Sequence, residues 1–277
     1  MAFELAGRRI GALALNFVRL VVALAMVCAW LGVARGSPLP RDVGPQAALW
    51  LAASGLVGFV FGDLCLFKAF LVIGARTALL VMTLVPPITA LLGLAFLGES
   101  LAPLGALGMA LTVGGVAWVV LERRPEPGAA ERRRYPLAGI LLGAGGAVGQ
   151  AAGLVICRHV MAGIYPFSAS AVRIAAGIVG FAVVLASAGW WRRTWASLRD
   201  DRAMVLTAIG SFFGPFLGVG ASLAAVRWTD AGTASTLMSI VPVLMIPASI
   251  LVFKEQVSLR SALGSLFAVA GVACMFA

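Results

Sequence analysis

Long apolar runs separated by short polar loops make up the hydrophobic pattern of this chain of 277 residues. A helix that crosses the hydrocarbon core of a bilayer needs about 20 mostly apolar residues. The pattern predicts nine such helices, near residues 11–34, 46–66, 77–97, 103–121, 137–160, 166–190, 203–226, 232–253 and 258–276. The most polar stretch, 122–136, separates the first four from the last five. We therefore expect an all-α, polytopic membrane protein.

The two parts of the chain repeat each other. Residues 46–121 align with residues 202–277 at a constant offset of 156 without a gap, and 19 of the 76 pairs are identical. About one pair in ten would match by chance in a chain this rich in Ala, Leu, Gly and Val. A weaker match at an offset of 154 pairs Arg19 with Arg173. Duplication inside a very hydrophobic chain is typical of transporters built from two repeats.

The repeat predicts three regions: a first repeat in 1–121, a connecting loop in 122–136 and a second repeat in 137–277. The second repeat has five predicted spans and the first has four, since 137–160 lacks a counterpart. Two interpretations stay open: the first helix is missing because the chain starts at an internal methionine, which we favour, or nine spans is the natural number. Five spans per repeat would place the two repeats in inverted orientation.

Composition supports this class and excludes others. Hydrophobic residues make up 61% and charged residues 12% of the chain, against about 45–50% and 25% in soluble domains. The net charge of +10 does not indicate a nucleic-acid partner, because the arginines lie in short loops between apolar runs. The four cysteines lie inside apolar runs, so we expect no disulfide, no metal site and no cofactor. No set of catalytic side chains occurs at membrane depth, so we do not expect an enzyme.

Several short motifs recur at a familiar spacing. They are Gly62-Asp63-Leu64-Cys65-Leu66-Phe67-Lys68-Ala69, Gly74-Ala75-Arg76-Thr77-Ala78, Pro86 and Leu97-Gly98-Glu99, with a second copy in Ala231-Gly232-Thr233-Ala234, Val241-Pro242 and Lys254-Glu255. The chain resembles the EamA-type module of the drug/metabolite transporter superfamily. The resemblance implies two inverted repeats with ten spans in full-length members, and a multi-pass location in the cell inner membrane.

The same resemblance implies a secondary transporter, with export of a small metabolite such as an amino acid or a related compound as the expected activity. The mechanism would be alternating access between the repeats. The expected partners are the metabolite and the lipid bilayer, while coupling to a proton or ion and a homodimer stay open. The alternative is a non-transporting or truncated membrane protein with a structural or assembly role.

Two arginines are candidates for substrate binding. Arg19 and Arg173 lie seven to nine residues inside their predicted spans, about 10–13 Å along the helix at 1.5 Å per residue. A charge at that depth is unfavourable unless it has a partner or reaches the membrane surface. Each arginine is therefore either a structural group or a contact for an anionic or zwitterionic substrate.

The other candidates are small or kink-forming residues, each with a structural alternative. Gly58 and Gly62, like Gly214 and Gly218, have the spacing that lets helices pack closely. The alternative is a functional role, as the thin wall of a substrate cavity or as a pivot for the rocking motion. Proline in mid-span kinks a helix, as a fixed bend or as a hinge. The prolines in question are Pro86 and Pro242, and they are also candidate substrate contacts. The last candidate contact is Gln150, a neutral polar residue of the span at 137–160.

Acidic residues are expected at the ends of spans. Asp63 and Lys68, near the end of their span, would form an interfacial pair or extend their charged groups to the membrane surface. No Asp or Glu is expected in the middle of any span. Glu99 precedes the span at 103–121, where a carboxylate would be favourable near the helix N-terminus.

Overall fold

The computed structural model describes residues 2–99, 103–121, 137–228, 230–232, 234 and 259–274. Within these ranges the structure is helical and contains no strand. The helices are α1 Ala2–Ile10, α2 Ala12–Arg35, α3 Pro45–Gly55, α4 Asp63–Val81, α5 Val85–Leu97, α6 Pro103–Leu121, α7 Leu137–Val160, α8 Pro166–Ser187, α9 Trp191–Ser197, α10 Asp201–Ser211, α11 Val219–Trp228 and α12 Leu259–Cys274. Two π-helical segments continue these helices: π1, Leu56–Gly62, joins α3 to α4, and π2, Phe212–Gly218, joins α10 to α11.

Six helical stretches in the described residues are long and apolar enough to cross a membrane: Ala12–Arg35, Pro45–Gly74, Thr77–Leu97, Leu137–Val160, Pro166–Ser187 and Asp201–Trp228. Shorter apolar helices, Pro103–Gly115 and Ala262–Gly271, occupy two more of the predicted spans. The predicted span at 232–253 lies almost wholly outside the described residues. The all-α, polytopic class is confirmed.

One predicted boundary is wrong. The span expected at 46–66 continues as a helix to Gly74, where a φ of 79° breaks the helical path. Glycine adopts such a left-handed backbone without the steric penalty that other residues carry. Lys68 lies within this helix, with its side chain exposed. Asp63 consequently lies well inside a span instead of near its end.

The described helices form two compact units. Unit 1 contains Met1–Leu64 and Ala152–Thr229, and unit 2 contains Cys65–Ala151 and Asp230–Ala277. Each unit takes helices from both parts of the sequence. The compact units therefore differ from the two repeats predicted from the duplication.

In unit 1, α2 packs against α8 in antiparallel orientation. Near the end of α2, Trp30 Nε1 donates a hydrogen bond to Tyr165 Oη, 3.2 Å away, just before α8 begins. Near the start of α2, the ring of Phe17 meets Trp191 edge-on at 5.4 Å, just after α8 ends. Between these contacts lies a buried apolar core that includes Leu20, Val27, Phe59, Ile174 and Phe181.

In unit 2, α6 and α12 are also antiparallel. A Cβ built on Gly115 would lie 2.6 Å from the Gly264 carbonyl oxygen, and one on Gly271 would lie 2.6 Å from the Gly108 carbonyl oxygen. The offset of 156 maps Gly108 onto Gly264 and Gly115 onto Gly271, so the two close approaches are symmetric equivalents. Equivalent helices of the two repeats thus run in opposite directions in unit 1 and again in unit 2. This is the inverted two-repeat architecture that the duplication predicts.

Candidate functional site

Arg19 is buried in α2 and forms an ion pair with Asp63. Its Nη2 donates to Asp63 Oδ2, and the side chains are 9% and 5% exposed. The Arg19 guanidinium also lies over the ring of Phe3 in α1, 5.3 Å from the ring centroid. Removing one member of a buried pair is costly, because the remaining charge is left uncompensated in a medium of low dielectric constant.

Arg173 is equally buried in α8, but its surroundings differ. Its guanidinium lies 5.4 Å from the centroid of the Phe59 ring and is near the Cys157 side chain. The Nε atom is buried and has no hydrogen-bond partner. In the described part of the chain, no carboxylate lies within ion-pair distance of Arg173. One of the two buried arginines is therefore neutralised and the other is not.

The repeat explains why only one arginine is paired. At the offset of 156, the position equivalent to Asp63 is Val219, which offers no charge to Arg173. The backbone around the two arginines remains equivalent: Ser211 Oγ donates to the Arg19 carbonyl at 3.1 Å, and Gly55, its counterpart, packs directly against the Arg173 carbonyl. The two arginines thus have equivalent backbone contacts, but only Arg19 has a carboxylate partner.

The π-helical segments also correspond, since the offset of 156 maps Leu56–Gly62 onto Phe212–Gly218. Such segments are rare and frequently occur at functional sites. Phe59 lies in π1 and Asp63 directly follows it. Both buried arginines therefore contact the region of π1, one through each of these residues.

A buried polar group lies one turn before each arginine. Asn16 and Ser170 are completely buried, and Asn16 Oδ1 and Ser170 Oγ have no hydrogen-bond partner. They are equivalent at the offset of 154 that relates Arg19 to Arg173. Residues three apart lie on the same face of a helix. In α8, this places Ser170 and Arg173 on one face of the helix, and each has a buried polar atom without a hydrogen-bond partner.

The comparison with protein families agrees with this architecture. The EamA-like transporter family matches residues 1–121 and 137–277. The chain belongs to the EamA-like transporter family. A solved crystal structure aligns with a TM-score of 0.70 over 98% of this chain and 90% of the other, at 19% identity, which shows a shared fold. A search of curated proteins found no match.

Family membership makes this EamA-like protein a multi-pass membrane protein of the drug/metabolite transporter superfamily, in a lipid environment and with a small-molecule substrate. Of the residues predicted to contact substrate, the structure places six in unit 1: Arg19, Gly58, Gly62, Arg173, Gly214 and Gly218. Pro86 and Gln150 lie in unit 2. Pro242 lies outside the described residues.

The predicted glycines of the EamA-like chain allow close packing in unit 1. A Cβ on Gly153 in α7 would lie 3.0 Å from Gly58 Cα and 3.0 Å from the Ser54 carbonyl oxygen. Ser54 Oγ also donates a hydrogen bond to the Gly153 carbonyl. Gly214, the counterpart of Gly58, faces the ring of Phe3. These contacts support the packing interpretation for Gly58 and Gly214.

Pro86 is buried at the beginning of α5, directly after the 3₁₀ turn Met82–Leu84. A proline in the first turn of a helix loses no intrahelical hydrogen bond. The predicted mid-span kink therefore takes the form of a 3₁₀-to-α junction. Gln150, in α7, is half-buried.

Two acidic side chains have partners that the sequence did not indicate. Asp63 was expected at an interface with Lys68, but it is 3% exposed and binds Arg19, while Lys68 is exposed. The expectation that no acid lies within a span was therefore wrong. Glu99 was expected near the start of its own next helix, but its Oε1 accepts a hydrogen bond from the Ala231 amide at 3.1 Å.

Two loop aspartates of the EamA-like protein form hydrogen bonds at opposite ends of unit 1. Asp42 Oδ2 accepts from the Tyr165 amide at 2.8 Å, ahead of α8. Partial burial raises the pKa of Asp42, but hydrogen bonds from Ser168 and Tyr165 outweigh it, so the pKa is lowered. Asp200 binds Arg9 at 2.8 Å and caps α10 through Ala203. The Arg9 hydrogen bond is the main cause of its lowered pKa.

Proposed function

We propose that this protein is a secondary transporter of the inner membrane that exports a small carboxylate-bearing metabolite, such as an amino acid or a related compound. Alternating access between the two inverted repeats would be the mechanism. In this proposal the chain is a carrier and not an enzyme, and it needs no cofactor. Coupling to a proton or ion and assembly as a homodimer are compatible with it.

The environment of Arg173 carries the proposal. A charged side chain at the centre of a membrane helix is unfavourable by about 2.5–3.5 kcal/mol even on insertion-based scales. Arg19 offsets this cost with Asp63, whereas no carboxylate of the described residues lies within ion-pair distance of Arg173. An aromatic ring beside the guanidinium and a buried Nε without a hydrogen bond occur at both arginines, so the missing carboxylate is what distinguishes Arg173. Ionisable groups inside membrane proteins usually mark substrate or ion pathways. A substrate carboxylate would provide the partner that Arg173 lacks.

The other predicted residues have supporting roles in the proposal. Gly58 and Gly62 would keep the wall next to Arg173 thin, and Gly214 and Gly218 would do the same beside Arg19. Pro86 and Pro242 would set the bends of equivalent helices. Gln150 would provide a neutral polar contact from α7.

The test compares Arg173→Gln with wild-type protein in proteoliposomes loaded with radiolabelled amino acids. We expect Arg173→Gln to reduce efflux at least about tenfold, the effect of losing a charge-assisted hydrogen bond. Arg192→Gln is the matched control because this arginine is exposed on α9, and it should retain wild-type efflux. Circular dichroism and gel filtration check that each variant is folded.

Two results would contradict the proposal. Wild-type efflux rates in folded Arg173→Gln would remove Arg173 from the substrate site. Folded wild-type protein that moves none of the amino acids, and causes no metabolite efflux from cells, would favour a structural or assembly role.

A further inference from the structure

The buried charges of unit 1 do not balance. The spanning helices α2, π1–α4 and α8 carry the buried cations Arg19 and Arg173 and the buried anion Asp63. Arg19 and Asp63 neutralise each other, so these three groups leave one positive charge at Arg173. A group of one negative charge would complete the balance. A group of two charges would leave an excess anion in a region of low dielectric constant, which is strongly unfavourable.

The polar atoms near this charge also lack partners. Ser170 Oγ and Arg173 Nε are buried and unsatisfied, and they lie one turn apart on α8. A buried donor left without an acceptor destabilises the protein by its full desolvation penalty. A carboxylate can accept hydrogen bonds from a hydroxyl and a guanidinium simultaneously, because each of its two oxygens has two acceptor positions. Ser170 and Arg173 thus form a donor pair with the chemistry of a carboxylate site.

Arg19 and Arg173 contact residues that lie close together in the sequence of π1 and α4. Phe59, which contacts Arg173, and Asp63, which binds Arg19, are separated by about one turn at the end of π1. The antiparallel crossing of α2 and α8 brings Leu20 to within 3.0 Å of a Cβ built on Gly177. Arg19 directly precedes Leu20, and Arg173 lies one turn before Gly177. Without Asp63, Arg19 would lose its carboxylate next to the segment that Arg173 also contacts.

We infer that Ser170 and Arg173 bind a single carboxylate of the transported compound, and that Asp63 restricts this site to ligands with one negative group by neutralising Arg19. This inference rests on the proposed function, because it defines the charge of the substrate at the same arginine. Ser170 is a binding residue that the sequence did not indicate. Asp63 is a specificity-determining residue that acts through Arg19 and does not contact the ligand.

The test measures ligand affinity in detergent by calorimetry at pH 7.5, separately from transport. The probes are three pairs of similar shape, each a dicarboxylate and its monoamide: malonate and malonamate, succinate and succinamate, glutarate and glutaramate. In wild-type protein we expect at least one monoamide to bind at least about tenfold more tightly than its dicarboxylate, since burying an excess charge is strongly unfavourable.

Charge variants separate the roles of the three groups. Asp63→Asn should reverse the preference towards the dicarboxylate, because Arg19 then loses the carboxylate of Asp63. The double variant Arg19→Gln/Asp63→Asn removes both charges and should restore the monoamide preference. It also serves as the fallback if Asp63→Asn alone does not fold. Arg173→Gln should abolish binding of every probe.

Ser170→Ala separates binding from stability. It should weaken binding of the preferred monoamide about tenfold, the effect expected for a hydrogen bond to a charged group. Its melting temperature should not fall, because the hydroxyl has no partner in the unliganded protein. Ser187→Ala is the control on the same helix: this hydroxyl is exposed and bonds only locally to Val184, so its loss should leave the affinity unchanged.

The possible failures are distinguishable. Equal affinity for both members of every pair, unchanged selectivity in folded Asp63→Asn, or no probe binding to wild-type protein would each overturn this inference. None of these results would alter the efflux experiment, which decides separately whether the protein is a carrier that depends on Arg173.

Discussion

The crossing of α6 and α12 allows a sharp test of the inverted-repeat packing. A methyl group added at Gly115 would lie 2.6 Å from the Gly264 carbonyl oxygen and 2.7 Å from the Ala268 amide nitrogen. Ordinary contacts begin near 3.4 Å, so the helices would have to separate by about 0.8 Å in a tightly packed region. Because the atoms that it meets belong to helix backbone, no side-chain rotation relieves the overlap.

Gly114→Ala provides the matched control, since nothing lies within 4 Å of the added methyl group. Both substitutions gain the same helix propensity, about 1 kcal/mol relative to glycine, and this term cancels in the comparison. The remaining difference is the overpacking penalty of about 1–3 kcal/mol. We therefore expect Gly115→Ala to be less stable than Gly114→Ala by about 1–3 kcal/mol.

The assay is reversible unfolding of both variants in mixed micelles with increasing SDS, followed by tryptophan fluorescence. Gly271→Ala tests the symmetric position, where a methyl group would lie 2.6 Å from the Thr112 amide nitrogen, and it should resemble Gly115→Ala. Equal stability of the Gly115 and Gly114 variants would refute the close antiparallel contact. So would a loss at one symmetric position without a loss at the other.

Two further predictions concern unit 1. Asp42 has a lowered pKa in the folded protein, so its contribution to stability is complete above the unfolded pKa of about 3.9 and disappears as the pH falls through the lower folded value. The melting temperature of Asp42→Asn should therefore lie below that of the wild type at pH 6, and the difference should shrink as the pH falls below about 3.9. A difference that does not change with pH would contradict this assignment. Single cysteines at Leu39 and Leu198, both exposed, should react with membrane-impermeant maleimide from opposite faces of the membrane. Labelling of both from one face would contradict the antiparallel arrangement of α2 and α8.

The sequence alone was sufficient for the fold class. Apolar length, the polar break at 122–136 and the constant offset between repeats predicted spanning helices and their duplication, because a bilayer forces each spanning segment to satisfy its own backbone hydrogen bonds. The depth of Arg19 and Arg173 was also readable, since it depends only on position along a helix. The helical continuation to Gly74 was missed because the predicted span ended at residue 66, just before the charged Lys68.

Only the tertiary structure decided which polar groups meet. Asp63 lies 44 positions from Arg19, and its approach to α2 depends on the rotation of α4 about its own axis. The π1 segment sets that rotation, because its wider turn shifts the face presented by every later residue. A regular period of 3.6 residues cannot anticipate this shift. The difference between Arg19, which has a carboxylate partner, and Arg173, which has none among the described residues, follows from Asp63 in one repeat and Val219 in the other. The sequence contains this difference, but only the packing of the helices shows that Asp63 is the partner of Arg19.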